Sequence, residues 1–257
     1  MEHILKYMEI AIIESCNLNC KGCSHFSPLA CNEDMESAVE FHKDLKRMHE
    51  LFPKIYKIRI LGGEPLLHPE WTKIVRIARH IYPYSEIHVA SNGLKIPHLS
   101  EEEFAVMREQ NAVFDISLYK PTLNIKGTIE KPLDAHQIPY EFTPYVARFR
   151  KRLDITGSQD PVDAYKNCIV GHRCTYLYKG KLSGCPAPNV ALLCDRYFGT
   201  QLSIPGDMIN IHETTLSVDE IYQKITTPLE VCKYCGEVEE FDWAPGKGNY
   251  KMTDWIL

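Results

Sequence analysis

The chain has 257 residues, of which 44% are hydrophobic and 25% charged, a composition typical of a globular protein that buries an apolar core. Its 29 Lys and Arg against 34 Asp and Glu leave a net charge of −5, so it lacks the broad positive field that attracts nucleic acid or an anionic bilayer. The amino terminus lacks the features of a signal peptide, and no apolar run is long enough to span a membrane. We therefore expect a cytoplasmic protein without nucleic-acid or membrane partners.

The first 145 residues alternate strand-like and helix-like segments. Apolar periodicity predicts strands at 6–13, 55–61, 87–90, 113–118 and 139–143, and helices at 34–52, 70–82, 100–110 and 125–136. Repeated units of this kind predict an α/β fold with a parallel sheet that binds ligands at the carboxyl ends of its strands. From about residue 146 the chain becomes polar and rich in turns, so we expect residues 1–145 to form one domain and 146–257 a smaller second region that a metal site would stabilise.

The ten cysteines cluster between positions 16 and 31 and between positions 168 and 235. In a reducing compartment such clustering favours metal ligation or redox chemistry over disulfides. Cys16, Cys20 and Cys23 follow the first predicted strand, and three thiolates this close can hold one face of an iron–sulfur cube while leaving one iron open. A structural zinc site would need a fourth ligand, for which Cys31 is available, and Cys20 and Cys23 also have the spacing of a thiol redox pair. The spacing favours the iron–sulfur interpretation.

A second motif, Gly62-Gly-Glu-Pro65, follows the second predicted strand. Together with Cys16, Cys20 and Cys23 in this order, it resembles the signature of the radical S-adenosylmethionine (SAM) enzymes. The resemblance covers roughly residues 6–145 and implies a partial (β/α)6 TIM-like barrel with a 4Fe-4S cluster that binds SAM.

The same resemblance implies how SAM is held. The contacts that it implies come from Gly62, Gly63, Glu64 and Pro65 to the amino group, and from Ser91, Asn92 and Ser117 to the ribose or the carboxylate. The residue types agree with this, because two glycines let the backbone approach a ligand closely, and a carboxylate such as Glu64 accepts a hydrogen bond from an ammonium.

The later cysteines form a second pattern, in which Gly180 lies between Cys168 and Cys185, and Cys232 and Cys235 follow as a C-x-x-C pair. Four thiolates can close a cluster or bind zinc, and the spacing alone favours neither. The pattern resembles the Twitch or SPASM auxiliary-cluster region of radical SAM enzymes, which implies a second, auxiliary 4Fe-4S cluster. Cys174 could replace Cys168 as a ligand; we favour Cys168.

The resemblance implies an oxidoreductase that cleaves SAM to a 5′-deoxyadenosyl radical. This radical would abstract hydrogen from a small polar substrate, such as a sugar, cyclitol or nucleotide sugar. In the dehydrogenase version an alcohol is oxidised and the auxiliary cluster accepts the second electron. The resemblance also implies an external electron donor such as a flavodoxin or ferredoxin.

The sequence offers several candidates for the residues that act on the substrate. The resemblance implies a substrate-contacting arginine at the start of the second region, and Arg148 and Arg152 are our candidates. Cys194 is a candidate hydrogen-atom donor, which would make the enzyme an epimerase. A peptide-modifying radical SAM maturase and a zinc-stabilised binding module without catalysis are the remaining alternatives.

Overall fold

The computed structural model describes residues 3–31, 34–168 and 174–257. The strands are β1 (Leu5–Ile13), β2 (Ile55–Gly62), β3 (Glu86–Ser91), β4 (Ala112–Ile116), β5 (Tyr140–Phe142), β6 (Arg148–Leu153), β7 (Thr175–Tyr178), β8 (Lys181–Ser183), β9 (Ile209–Asn210) and β10 (Cys235–Asp242). The α-helices are α1 (Ala38–Leu51), α2 (Trp71–Ile81), α3 (Glu101–Glu109), α4 (Lys120–Asn124), α5 (Lys126–Ala135), α6 (Pro161–Lys166), α7 (Ala187–Phe198) and α8 (Val218–Ile225).

One eight-stranded sheet organises the fold, with the strand order β5-β4-β3-β2-β1-β7-β8-β9. Strands β1 to β5 run parallel, each beside the next, and β7 is parallel to the other side of β1. Helices α1, α2 and α3 connect the first four strands, as expected for right-handed parallel units. The predicted α/β fold with a partial TIM-like barrel is confirmed.

The two faces of the sheet differ in chemistry because successive side chains of a strand point to opposite faces. One face carries fully buried side chains such as Ile10 and Ile58, which belong to the same apolar core as Phe41, Leu45 and Met48 of α1. The opposite face, which we call the concave face, carries a row of paired residues at the same height of β1, β2 and β3: Glu9, Arg59 and His88. The barrel therefore has an apolar exterior layer and a charged interior.

The sheet continues past residue 145, where we expected the second region to begin. Strand β7 pairs with β1 in register Ile10 to Leu177, and β8 and β9 extend the same sheet. The polar segment that starts at Arg148 forms β6, which pairs antiparallel with β10 in a separate two-stranded ribbon. Its polarity reflects exposure, because Arg148 and Arg150 make ion pairs with Glu240 across the ribbon.

Within the described ranges, every helix is too short or too polar to cross a lipid bilayer.

Candidate functional site

The first cysteine group lies in the loop that follows β1, at the carboxyl edge of the sheet. The pKa of Cys16 is raised to about 12, mainly by burial and also by the nearby Glu64, Cys23 and Cys20. Burial also raises the pKa of Cys20 to about 12, again with a contribution from Cys23. The pKa of the Tyr119 hydroxyl is raised by burial, and the thiols of Cys23, Cys20 and Cys16 add to this shift. The structure therefore brings the three predicted ligands together.

The glycine pair at the end of β2 packs against the cysteine loop, and its predicted contact with SAM stays a prediction. A Cβ on Gly62 would lie 1.9 Å from the carbonyl oxygen of Ile13, and one on Gly63 would lie 2.2 Å from that of Ser15. The Gly63 amide donates to the Ile13 carbonyl at 2.7 Å. Because neither glycine has a side chain, the backbone of the cysteine loop packs directly against residues 62 and 63. This close contact holds the end of β2 against the loop that follows β1.

Glu64 connects the ends of β2 and β3. Its carboxylate is fully buried and accepts hydrogen bonds from the Ser91 hydroxyl (2.8 Å) and from the backbone amides of Asn92 (2.7 Å) and Leu66 (3.1 Å). Burial raises the pKa of Glu64 to about 7, and these hydrogen bonds oppose the shift. These three hydrogen bonds from the chain itself fix the end of β3 beside the end of β2. The predicted hydrogen bond from the SAM ammonium to this carboxylate stays a prediction.

Asn92 and Ser117 lie at the same edge. The Asn92 side-chain amide donates to Asn17 Oδ1 at 2.7 Å and lies 3.7 Å from the Cys16 sulfur. The Ser117 amide donates to the Ser91 carbonyl at 2.9 Å, which places Ser117 just after β4. The predicted SAM contacts thus surround the cysteine loop, with Pro65 buried at the start of a short 3-10 helix below them.

The later cysteines also meet. Burial raises the pKa of Cys185, and the thiols of Cys235, Cys168 and Cys232 raise it further. The pKa values of Cys232 and Cys235 are raised in the same way, by burial and by Cys168 among their neighbours. Cys168 therefore lies with the other three predicted ligands. Cys174 directly precedes β7. In the antiparallel pair of β7 and β8, Tyr176 lies opposite Ser183, so the chain before β7 and the chain after β8, which contains Cys185, start from the same end of this hairpin.

The two candidate arginines have separate surroundings. Arg152 lies near the second cysteine group, where its charge lowers the pKa of Cys235 against the larger effect of burial. Arg148 is more than half exposed and lies 3.1 Å from Glu240 and 3.8 Å from Asp242.

Two further cysteines have distinct environments. Cys194 is fully buried in α7, in an apolar cluster that contains Ala11 and Tyr176, and accepts a hydrogen bond from the Thr200 hydroxyl at 3.6 Å. Cys31 is exposed, and both its amide and its thiol donate to Asp34.

Residues of the carboxyl terminus complete the first cysteine loop, which we did not predict. The indole nitrogen of Trp243 donates to the sulfur of Cys20 at 3.1 Å, and that of Trp255 donates to the Cys23 carbonyl at 2.8 Å. Lys21 and Asp254 form an ion pair of 2.7 Å. The only sequence signal was the density of aromatic residues in a polar tail.

A cavity of about 490 Å³ opens at the amino ends of β2 to β4, the edge opposite the cysteine loop; Lys57, Tyr84 and His88 contribute to its lining. It therefore lies away from the predicted SAM contacts. Among residues 3–31, 34–168 and 174–257, no three His, Cys, Asp or Glu side chains converge as ligands of a single metal ion.

Comparison with known proteins places this geometry in a family. Residues 10–137 match the Radical SAM superfamily, and this segment contains both the cysteine loop and the glycine pair. The likeness to a radical SAM domain therefore extends over residues 10–137. The family implies an enzyme that uses a 4Fe-4S cluster and SAM. The three neighbouring thiols at the carboxyl end of a parallel strand fit such a cluster, because soft thiolates are the ligands that iron–sulfur clusters take.

The similar proteins cover different parts of the chain. GTP 3′,8-cyclase from Microcystis aeruginosa is 31% identical over 106 residues, which are 38% of this chain and 30% of the cyclase. Molybdenum cofactor biosynthesis protein 1 from Bos taurus is 32% identical over 97 residues, 36% of this chain and 15% of that protein. The crystal structure of BtrN in complex with AdoMet and 2-DOIA superposes with a TM-score of 0.53 over 92% of this chain and 95% of that chain, at 14% identity. This last likeness concerns the fold.

Proposed function

We propose that the protein is a radical SAM oxidoreductase that oxidises an alcohol of a small polar substrate and carries a second, auxiliary 4Fe-4S cluster in a Twitch- or SPASM-like region. The observation that carries the proposal is the proximity of Cys168, Cys185, Cys232 and Cys235, which come from three separate segments of the chain. Four thiolates fill the ligand positions of a cluster and leave no open iron. Such a cluster suits electron transfer better than substrate binding.

The chemistry of the first site follows from its family. With its cluster and SAM bound, a radical SAM domain supplies a 5′-deoxyadenosyl radical that removes a hydrogen atom from the substrate. Oxidation of an alcohol to a ketone then requires that one proton leave the hydroxyl group and one electron leave the carbon. In this proposal the electron passes to the second cysteine group, and an external flavodoxin or ferredoxin supplies the electron that starts each turnover.

The polar side chains of the concave face are the evidence that we give for a polar substrate. The Tyr7 hydroxyl donates to Glu9 at 2.6 Å, Arg59 reaches both Glu9 and Asp115, and His88 Nδ1 lies 2.6 Å from Asp115 Oδ1. Such a face combines several charged and hydrogen-bonding groups with the apolar side chains of Ala11 and Leu61, which suits hydroxyl-rich ligands such as sugars, cyclitols or nucleotide sugars.

This charged face extends toward the cysteine loop. The charges of Glu9 and Arg59 act on the pKa of His25, whose dominant shift, a lowering, comes from burial. His25 follows Cys23 by two residues. A substrate bound between the cysteine loop and the concave face would therefore contact both.

Arg152 is the arginine that we assign to the substrate side of the second cysteine group, because it lies beside Cys235 and retains partial burial on β6. Arg148 is engaged by two carboxylates on the exposed ribbon. We expect Arg152→Lys to keep most of the alcohol oxidation and Arg152→Ala to lose at least about tenfold, a loss that corresponds to about 1.4 kcal/mol of transition-state stabilisation.

An epimerase is the second candidate, and the position of Cys194 favours considering it. Its thiol belongs to the same apolar cluster as Ala11 and Leu61, which are side chains of the concave face. A hydrogen atom returned from this thiol to the substrate radical would give a redox-neutral product with an inverted stereocentre.

The test is anaerobic incubation with SAM, a strong reductant and a panel of sugars, cyclitols and nucleotide sugars in deuterated water. Alcohol oxidation predicts 5′-deoxyadenosine together with a product that has lost two hydrogens. An epimerase predicts one solvent deuterium fixed at a stereocentre of a product with unchanged oxidation state, and loss of this product in Cys194→Ala. Zinc without iron and sulfide in anaerobically purified protein would overturn both, because zinc in a thiolate site is redox-inert and colourless.

A further inference from the structure

The chain returns to the first cysteine loop at its carboxyl terminus. Immediately after β10, the Lys21 amide donates to the Ala244 carbonyl at 2.9 Å, and Cys20 and Pro245 form an isolated antiparallel bridge. The Gly246 amide donates to the Asn19 carbonyl at 2.5 Å. Residues 244–246 therefore run alongside residues 19–21 as a short backbone pair that covers the loop.

Trp243 holds the central contact of this pair. Its indole N–H donates to the Cys20 sulfur at 3.1 Å, within the range for a hydrogen bond to sulfur. The ring stacks on Tyr119 with 5.8 Å between centroids and an interplanar angle of 27°, and the Trp243 amide donates to the Ala147 carbonyl at 2.8 Å. Backbone and ring are both fixed, so the direction of the N–H bond is fixed as well.

The preceding strand packs on the loop too. A Cβ on Gly22 would lie 2.3 Å from Cζ of Phe241, and Gly22 has a positive φ of 67° that favours glycine. Phe241 in turn contacts Phe149 edge to face at 6.3 Å. Only glycine fits at position 22 under this aromatic ring.

We propose that Trp243 is a positioning residue for Cys20 that tunes the cluster held by Cys16, Cys20 and Cys23. An N–H group that donates to a thiolate ligand stabilises negative charge on the sulfur and favours the reduced cluster. The indole N–H therefore makes the midpoint potential of this cluster more positive than it would be without the hydrogen bond. The inference rests on the radical SAM domain and is independent of which substrate the enzyme oxidises.

The same contact links the two cysteine groups. Trp243 directly follows β10, and β10 begins at Cys235. Eight strand residues span at most about 26 Å at roughly 3.3 Å per residue. The strand that carries a ligand of the second group thus also places the N–H donor on a ligand of the first, so order in the carboxyl-terminal region sets the environment of the SAM cluster.

The test compares Trp243→Phe with Trp255→Phe. The first variant keeps an aromatic ring beside Tyr119 but removes the N–H donor to sulfur. The second removes an N–H donor of the same kind that serves the Cys23 carbonyl, so it controls for loss of an indole from the loop. Reductive titrations followed by electron paramagnetic resonance report the midpoint potential, and the signal that changes when SAM is added identifies the cluster of Cys16, Cys20 and Cys23.

We expect Trp243→Phe to keep its iron and sulfide content and to shift this midpoint to a more negative value, whereas Trp255→Phe keeps the wild-type midpoint. If Trp243→Phe loses iron, the same titration is made with 3-benzothienylalanine at position 243. This isostere keeps both rings of tryptophan and lacks the N–H. A wild-type midpoint in the benzothienyl protein overturns the proposal. An equal negative shift in Trp255→Phe also overturns it, because the effect would then follow from loop packing.

Discussion

Arg59 and Asp115 are joined across the concave face by a hydrogen bond of 2.9 Å from Nε to Oδ2. They lie on β2 and β4, so the contact spans the intervening β3, where His88 binds the other carboxylate oxygen of Asp115. Arg59 also lies 3.4 Å from Glu9 on β1. The Arg59 guanidinium therefore neutralises carboxylates on both sides of β2, Glu9 on β1 and Asp115 on β4.

We expect Arg59→Met to destabilise the protein by about 2 kcal/mol, because it removes the guanidinium that pairs with the buried carboxylates of Glu9 and Asp115. Lys57→Met is the matched control, since Lys57 lies 3.9 Å from Asp115 and contacts it more weakly. Its expected cost is under about 1 kcal/mol. Anaerobic urea unfolding of both variants measures the difference, and equal midpoints for Lys57→Met and Arg59→Met would contradict the assigned role of Arg59.

The central sheet could be predicted from the sequence because its strands are buried and their apolar patterns are local. The predicted helix at 100–110 also has its cause in neighbouring residues, since Ser100 and Glu103 form the capping box that starts α3. The ribbon of β6 and β10 could not be predicted in this way. Its strands are polar and distant in sequence, and its register depends on cross-strand ion pairs such as Lys151 with Glu239 at 3.2 Å.

In the candidate site, too, the features that local sequence determines could be predicted, whereas those that join distant residues could not. The proximity of Cys16, Cys20 and Cys23 follows from their spacing within one loop, which any compact turn brings together. The hydrogen bond from Trp243 to Cys20 joins residues 223 positions apart. No periodicity or spacing rule connects such residues, so only the folded chain reveals that the tail belongs to the site.

Replacement of Cys16, Cys20 and Cys23 together with Ala should abolish SAM cleavage and leave part of the iron. The two cysteine groups lie at different ends of β10, so loss of one set of thiolate ligands should spare the other. Iron and sulfide analysis and an assay of 5′-deoxyadenosine measure the two effects. Complete loss of iron in this variant would refute a second cluster that is independent of the first.

Cys235→Ala should loosen the carboxyl-terminal region. Metal ligation contributes directly to the folding of small regions, and Cys235 begins the strand that pairs with β6. We expect limited proteolysis to cleave the chain after about residue 145 faster than in the wild type, while the earlier residues stay protected. Cys31→Ala is the control, because Cys31 is exposed and its thiol donates to Asp34. Equal cleavage of all three proteins would argue against the second site.

Glu36 should make stability depend on pH. Its carboxyl group is 1% exposed, and burial together with the adjacent Asp44 raises its pKa well above the ordinary value of 4.5. The folded state then holds a proton that the unfolded state releases above about pH 4.5, so stability falls as pH rises from there toward the raised pKa.

We expect Glu36→Gln to remove this slope, which approaches about 1.4 kcal/mol per pH unit for one proton. The facing groups, Glu40, Lys43, Asp44, Lys179 and His212, are present in both proteins, so their titration affects both curves. Anaerobic urea titrations at pH 5.5, 6.5 and 7.5 compare the two. The variant should gain stability over the wild type as pH rises, and parallel curves would show that Glu36 titrates normally.

Cys168 and Cys174 should differ when each is replaced with Ser. Cys168 adds to the pKa shifts of Cys185, Cys232 and Cys235, so its thiol lies near the other thiols of the second cysteine group. Loss of a true ligand exposes an iron and lowers the iron and sulfide content, whereas a serine at a position that does not bind iron costs about 1–2 kcal/mol of stability at most. We therefore expect Cys168→Ser to lose iron from the second cluster and Cys174→Ser to keep it. Elemental analysis of both variants in the background that lacks Cys16, Cys20 and Cys23 isolates this cluster, and depleted iron in Cys174→Ser alone would assign Cys174 as the ligand.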